Sequence, residues 1–328
     1  MLTSITDTIT QYLPSKRKTS SSGWISFKAP CCTHRGESAD TRGRGGIIIN
    51  PTGGISYHCF NCNFTANYTP GYHLNYKFRK LLSWLGVDEN GIRRLVIDAL
   101  RVKELIAPGQ IETQPKQEIS FSPRALPPGS VNILESRDES ATTYILGRGL
   151  DPAQTTFYTS NSTAHNMNRR VIIPFTWQNE LIGYTSRSWD PTVKPKYHNS
   201  YDNNFVFNVD NQQKDWKFVI VCEGPFDALS IGGVAILSNE CSEIQADIIE
   251  QLGREIILVP DADRAGTKLV DHAAEYGWTV SFPVWLETCK DINDAVIKYG
   301  KLFVLKSIID ARETSRLKIE LRKRKLYH

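Results

Sequence analysis

The sequence predicts a multidomain chain of α+β and α/β class: a small N-terminal β ribbon, a helical linker, and a core built on a parallel α/β sheet. Three observations predict it. First, apolar runs of strand length end in acids: Val219-Ile-Val-Cys-Glu-Gly-Pro-Phe-Asp227, then Glu255-Ile-Ile-Leu-Val-Pro into Asp261-Ala-Asp263, then Val280-Ser-Phe-Pro-Val-Trp-Leu286 before Lys290-Asp291-Ile-Asn-Asp294. Amphipathic stretches separate them, the pattern of a buried parallel sheet. Second, Cys31-Cys-Thr-His34 and Cys59-Phe-Asn-Cys62 sit in a segment rich in Gly, Ser, Thr and Asn with short β-prone pieces. Third, residues 107–130 hold five prolines and few apolar side chains, the composition of a linker.

Taken in order, residues 1–73 are the ribbon, with β-prone Trp24-Ile-Ser-Phe27 and Gly46-Ile-Ile-Ile49, and Gly-Gly pairs at 45–46 and 53–54 suggest hairpin turns. Residues 74–130 form a helical segment and Pro-rich linker: Leu74–Leu85 and Ile92–Ile106 carry apolar residues at helical spacing, broken at Gly86 and Gly91. Residues 131–215 begin the second globular region, with a helix over Glu139–Leu146 and strands at Arg170–Phe175 and Leu181–Thr185. The α/β part spans residues 216–300, and residues 301–328 form a basic tail that reads as helical over Arg312–Lys325.

With 328 residues, the chain has room for two domains and a sizeable core. Hydrophobic content of 40% and charged content of 23% are ordinary for a water-exposed fold. The sequence carries no span-length apolar run and no signal pattern, so a cytoplasmic location is expected. The formal charge of +4 is unevenly spread: residues 1–80 are net +7, residues 311–328 net +5, and the middle net −8. Basic ends around an acidic centre suit a protein that grips a polyanion and holds cations, although solvated faces give the same count.

Four of the seven cysteines crowd into residues 31–62, and Cys222, Cys241 and Cys289 read as small buried hydrophobes. Two ligand pairs, each with two residues between partners, are separated by 24 residues, enough for a β-hairpin. That is the pattern of a zinc ribbon with ligands Cys31, His34, Cys59 and Cys62. Cys32 and His58 are the alternatives. Thiolate and imidazole favour zinc over a hard cation. Lys28, Arg35, Arg42 and Arg44 lie among Trp24, Tyr57, Phe60 and Phe64, a mix that suits single-stranded nucleic acid unless the rings form the ribbon's own core.

In a parallel sheet the crevice at the carboxyl ends of the strands is the ligand site. Glu223, Asp261, Asp263 and Asp291 would converge there, with Asp227 one helical turn past Glu223. A lone acid after a strand is usually a helix cap, but three such strand ends argue for a shared site. Several acids in one crevice repel unless a hard cation such as Mg²⁺ or Mn²⁺ joins them, which predicts metal-assisted phosphoryl chemistry.

These residues carry a resemblance. Glu223-Gly-Pro-Phe-Asp227, Asp261-Ala-Asp-Arg-Ala-Gly266 and Lys290-Asp-Ile-Asn-Asp294 resemble the toprim domain shared by primases, topoisomerases and some nucleases. Asn168-Arg-Arg-Val-Ile-Ile-Pro-Phe175, Gly183-Tyr-Thr-Ser-Arg187, Pro195-Lys-Tyr-His-Asn-Ser200 and Tyr144-Ile-Leu-Gly-Arg-Gly-Leu150 are similar to the basic motif region of bacterial and phage primases. The motifs occur in the family's order across residues 20–300, and with no Walker A motif the chain is most like a stand-alone phage primase. Asn293 stands where some relatives carry an Asp, and Asn208 where many carry a nucleotide-contacting lysine. The resemblance implies synthesis of RNA primers from ribonucleoside triphosphates on single-stranded DNA during replication. Asp261, Asp263 and Asp291 would hold Mg²⁺, and Glu223 would hold metal or act as general base. Arg169, Arg170, Arg187, Lys196, Tyr197, Asn199 and Lys290 would contact nucleotide or template. A replicative helicase is the expected protein partner, and a toprim nuclease or topoisomerase fragment and a non-catalytic zinc-dependent binder are the rival readings.

Overall fold

The computed structural model describes residues 3–72, 74–105, 119–163, 166–261, 266–286 and 289–327. The chain divides into two compact units, Met1–Gln117 and Glu118–His328.

The first unit is an antiparallel meander with helices. Helix α1 (Thr3–Tyr12) buries Ile5 and Ile9, four residues apart, with Leu13 just beyond its end. Strands β1 (Arg17–Thr19), β2 (Ile25–Phe27), β3 (Gly45–Ile49), β4 (Ile55–Cys59) and β5 (Thr65–Tyr68) pair in chain order. Alternate residues of β4 (Ile55, Tyr57, Cys59) are buried, as the two-residue period of a strand requires. Helices α2 (Tyr76–Trp84) and α3 (Glu89–Leu105) follow. Asn75 caps α2 by accepting the Phe78 N–H at 2.9 Å.

Two expectations change here. Only the second Gly-Gly pair makes a turn, closed by Gly53 N–H to Asn50 O at 2.9 Å. Gly45 and Gly46 lie inside β3, where neighbours leave no room for a Cβ: one on Gly46 would come within 2.0 Å of the Trp24 indole nitrogen, and one on Gly45 within 2.9 Å of the Tyr57 hydroxyl. The helices of the expected linker belong to the ribbon's core, where Phe78, Leu81, Leu82, Leu95 and Ala99 pack with Phe27, Ile47, Ile55 and Tyr57. They supply the apolar area that the ribbon's short strands lack. Much of the Pro-rich stretch, residues 106–118, lies outside the described residues.

The second unit opens with β6 (Ser130–Asn132), α4 (Ile133–Ser136), α5 (Glu139–Gly147), β7 (Tyr158–Ser160), β8 (Arg170–Trp177), β9 (Glu180–Ser188) and β10 (Tyr197–Ser200). Its first sheet is antiparallel, in the order β10-β9-β8-β7-β6. Gln178 and Asn179, both at positive φ, turn β8 into β9, and their N–H groups donate to the Asp210 carboxylate at 3.1 Å each.

The second sheet is built from β11 (Phe218–Cys222), α6 (Pro225–Ile231), β12 (Val234–Ala235), α7 (Glu243–Glu250), β13 (Glu255–Leu258), α8 (Gly266–Tyr276) and β14 (Thr279–Ser281). Helix α9 (Ile292–Tyr299), α10 (Lys301–Asp310), β15 (Arg312–Glu313) and α11 (Arg316–Tyr327) complete it. The order is β12-β11-β13-β14-β15, parallel except for β15. The apolar run at 280–286 is strand only to Ser281; Pro283 has no N–H for the ladder, and Val284 is 94% exposed. Nor does the α/β region stop at Gly300. Val304 and Ile308 of α10 enter its core and β15 extends its sheet. Helix α11 is seated on α8 by Ile319 and a Lys323–Asp271 ion pair, so the basic end is an element of the fold. The two sheets share one core, in which Val171, Ile173 and Phe175 meet Ile220, Phe226 and Ile257. Among the described residues no helix is long and apolar enough to cross a membrane.

Candidate functional site

In the first unit, the Sγ atoms of Cys31, Cys32, Cys59 and Cys62 lie within 4.8 Å of one another. Cys31 and Cys62 approach to 3.4 Å, Cys32 and Cys59 to 3.6 Å. Four thiolates about 2.3 Å from a tetrahedral ion sit about 3.8 Å apart, so the donor set fits a soft divalent metal. Burial pushes the Cys31 and Cys32 thiols up, a cost that a cation offsets by holding them as thiolates.

The expected ligand His34 is not in the group, and Cys32 takes its place. Residues Cys32–Arg35 form a 3-10 turn that carries the imidazole away from the thiols, onto the Trp84 ring of α2 at 5.1 Å and nearly parallel to it. Two donors back the thiols: the Tyr57 hydroxyl lies 3.4 Å from Cys31 Sγ, and Asn61 Nδ2 donates to Cys32 Sγ at 3.3 Å. The loop between the knuckle and β3 is knotted by Asp40, which accepts N–H groups of Ala29, Arg42, Gly43 and Arg44 at 2.6–3.1 Å. Burial alone would raise its pKa; the four donors outweigh it and hold the carboxyl at about 2. Of the ribbon's aromatics, Tyr57 and Phe64 are core, whereas Phe60 is 62% exposed beside His58.

In the second unit, the chain leaves β11 for β12 on one side of the sheet, whereas β13 connects to β14 on the other. The carboxyl ends of β11 and β13 therefore flank the topological switch point, where ligands of open α/β sheets bind. Glu223 follows β11 and Asp261 follows β13, and Glu223 Oε1 accepts the Asp261 backbone N–H at 3.2 Å. Asp291 caps α9, accepting the Asp294 N–H at 2.7 Å. Cys222, buried at the end of β11, registers the gathering: burial and then the fields of Asp227, Asp261, Glu223 and Asp291 push its thiol up. Hard carboxylate oxygens in such a group suit a hard divalent cation. Among the described residues no three carboxylates approach one another as closely as the thiols do. Asp263 lies outside the described residues.

Asp227 is not an open ligand. It is buried, and its Oδ1 accepts the Asn293 N–H at 2.9 Å, which ties α6 to α9. Burial, then the Asp291 charge, raises its pKa to about 7. A Cβ on Gly224 would fall 2.7 Å from Asp227 Oδ2, so the glycine makes room for the carboxylate. Asn293 completes the brace. Its Nδ2 donates to Arg148 O at 2.8 Å and Ser230 Oγ at 2.7 Å, and its Oδ1 accepts from Arg148 Nη1 at 3.0 Å.

A cationic strip borders the acids. Arg187 of β9 lies 4.8 Å from the Tyr197 ring centre on β10 and bonds its hydroxyl. Lys196 is exposed, and the Arg187 guanidinium, ahead of burial and Arg148, pulls its ammonium below the ordinary value. Arg148, not among the expected contacts, lies 5.2 Å from the Phe226 ring; Arg187 lies 5.9 Å from the same ring. Phe226 sits three residues after Glu223, so one ring joins the strip to the acids. Tyr144 and Asp291 outweigh burial and raise the Arg148 pKa. Its signal in sequence was Gly147-Arg-Gly149, a cation at a helix end flanked by glycines.

The other expected contacts divide. Arg170 is fully buried and spends its guanidinium on backbone carbonyls, so it does not face a ligand. Arg169 is exposed and paired with Asp190 at 2.9 Å. Asn199 is exposed with Oδ1 accepting from Thr185 Oγ1 at 2.6 Å, and Lys290 is exposed beside Asp291 in sequence. Asn208 donates to Gly233 O at 2.7 Å, a bond within the fold.

A model of Toprim-like domains matches residues 220–296, the stretch that holds both strand ends of the switch point and α9. Residues 220–296 are thus similar to Toprim-like domains, and parts of the chain are similar in sequence to bacterial DNA primases. It is 31% identical over 109 residues to a DNA primase of Campylobacter jejuni, covering 29% of this chain and 18% of that protein. It is 26% identical over 152 residues to a DNA primase of Aquifex aeolicus, covering 40% of this chain and 30% of that protein. The alignments thus span less than a third of these relatives' length. The zinc-binding and RNA polymerase domains of the Aquifex aeolicus primase align over 94% of this chain and 83% of that chain, with a TM-score of 0.47 and 16% identity.

Proposed function

We propose that the chain is a DNA primase, a nucleotidyltransferase that joins ribonucleoside triphosphates into short RNA primers on single-stranded DNA. The observation that carries this reading is the Phe226 ring that Arg148 and Arg187 share beside Glu223, which sets a cationic strip against an acidic crevice at the switch point. Glu223 and Asp261, with Asp263 and Asp291, are the carboxylates for Mg²⁺ or Mn²⁺. A divalent cation held by these carboxylates would supply Lewis-acid chemistry for the primer 3′-hydroxyl and the pyrophosphate leaving group. Arg148, Arg187 and Lys196 take the triphosphate or the template backbone, and the repulsion among them that depresses the Lys196 pKa is relieved when a polyphosphate arrives. Tyr197 offers a ring face beside them. The four thiols of the ribbon hold zinc, and the ribbon with exposed Phe60 and its basic residues contacts the template. The cytoplasm of a bacterial host and a replicative helicase are the expected setting and partner.

The test is RNA synthesis. Purified protein, single-stranded DNA of mixed sequence, four ribonucleotides with one labelled, and Mg²⁺ should yield short labelled oligoribonucleotides. Asp261→Ala should lower the yield by more than about 100-fold, beyond the usual loss for outer-sphere changes at metal sites. DNA cleavage without ribonucleotide incorporation would assign the crevice to a nuclease instead. Binding of DNA with neither activity would leave a zinc-dependent binder.

A further inference from the structure

We propose that Arg170 is a positioning residue that holds the segment before β10, so that Lys196 and Tyr197 are presented to a polyanionic ligand; this rests on the reading of Lys196 as a phosphate contact. Arg170 opens β8, opposite Ser188 of β9. Its side chain reaches past β9 to the chain that enters β10, about two strand spacings away and within the reach of an extended arginine. Nη1 donates to Lys196 O at 3.2 Å, Nη2 donates to Pro195 O, and Nε donates to Asn166 O at 2.6 Å. Ser188 N–H donates to the same Lys196 oxygen at 3.0 Å. The Lys196 carbonyl is therefore held by two adjacent strands while its ammonium stays exposed.

The chemistry of the clamp is unusual for a buried cation. Arg170 is fully buried, yet no carboxylate pairs with it among the described residues, and burial lowers its pKa. Burying a guanidinium costs free energy unless polar partners replace water. Here carbonyl dipoles do so, and two of the three belong to consecutive residues. A lysine offers a single ammonium without the planar fork and cannot reproduce that geometry. The clamped carbonyl precedes Tyr197, whose ring lies 4.8 Å from Arg187 and 5.9 Å from Lys196. Loosening the clamp thus frees both the ammonium and the ring of the cationic strip.

The experiment uses the full chain and two readouts. Native-state trypsin cleavage between Lys196 and Tyr197 reports the hold on the segment without reference to activity. Binding of labelled single-stranded DNA and of a fluorescent ribonucleoside triphosphate is measured for wild type, Arg170→Lys, Lys196→Ala and the double variant. Nicking at Lys196 about tenfold faster in Arg170→Lys is expected, with about tenfold weaker triphosphate binding that vanishes as a separate effect in the Lys196→Ala background. Such non-additivity marks residues that act through each other. Equal nicking rates, or losses that simply multiply, would overturn the inference. If Lys196→Ala alone leaves both ligands bound as before, the contact reading fails while the nicking result still reports on the clamp. Should Arg170→Lys not fold, hydrogen exchange at Arg170 Nε in the wild-type protein decides: strong protection supports the clamp and rapid exchange sinks it.

Discussion

Asp227 shows how one side chain can mislead a reader of motifs. Its spacing from Glu223 points to the shared crevice, yet burial and its bond to Asn293 make it a brace. Its charge is costly where it sits, which has a measurable consequence. The folded protein binds this proton more tightly than the unfolded chain, whose carboxyl titrates near 3.8, and releases it only near 7. Stability from this group is therefore present at low pH and is lost as pH rises from about 4 to about 7. In chelator-treated protein, Asp227→Asn should flatten the fall of the second unit's unfolding temperature across that range, as read by calorimetry. An unchanged slope would mean that Asp227 ionises freely in the fold. Asp40 runs the other way: its pKa of about 2 lies below the unfolded value, so its stabilisation is present above about 4 and lost toward pH 2.

At the level of elements, the second unit depends on how α6, α9 and the end of α5 are tied together. Asn293 satisfies four groups at once: the Asp227 carboxylate through its N–H, and Ser230 Oγ, Arg148 O and Arg148 Nη1 through its amide. Asn293→Ala leaves three of these without their partner and should cost about 3 kcal/mol in denaturant unfolding, with weaker triphosphate binding because Arg148 loses its rest. Asn293→Asp keeps the acceptor for Arg148 but not the donors, so it should fall between. The metal knuckle makes a similar element-level claim. Cys32→Ser should abolish the tetrathiolate charge-transfer spectrum of the Co²⁺-substituted protein, whereas His34→Ala should keep it while loosening α2 through Trp84. The reverse pattern would restore His34 as the ligand. Tyr57→Phe should keep the spectrum and speed chelator-driven metal release about tenfold, because the hydroxyl beside Cys31 is lost.

For the whole molecule, the division into two units implies two responses to the same treatment. The first unit carries the four thiols and its own core of sheet plus three helices, and the second unit holds none of these four thiols. Strong chelation should therefore lower one calorimetric transition by many degrees and leave the other within about a degree. A single transition that moves as one would contradict independent cores. The charge distribution adds an expectation for nucleic acid. Ends of net +7 and +5 around a middle of −8 should make single-stranded DNA binding fall with salt, with a logarithmic slope of about −0.7 per phosphate contact.

Several features were determined by the sequence alone, and for local reasons. Apolar runs at 219–222 and 256–259 read as buried strands because no polar residue interrupts them, and acids at their ends gather where parallel strands end together. Cysteine spacing marked the thiol cluster, and the basic motifs held Arg187 and Tyr197, which the fold brings into contact. Only the tertiary structure decided what distant chain segments do to each residue. It chose Cys32 over His34, since the direction of a 3-10 turn depends on where Trp84 waits to receive the imidazole. It buried Arg170 and brought Arg148 to Phe226, because exposure of a cation depends on strands and helices up to 145 positions away, as in the Arg148–Asn293 bond. It carried α10 and β15 into the α/β core past Gly300, where the short strand Arg312–Glu313 pairs with β14. Local pattern fixes which faces must be buried; only the packed chain decides against which partner, and so which charges remain free to meet a ligand.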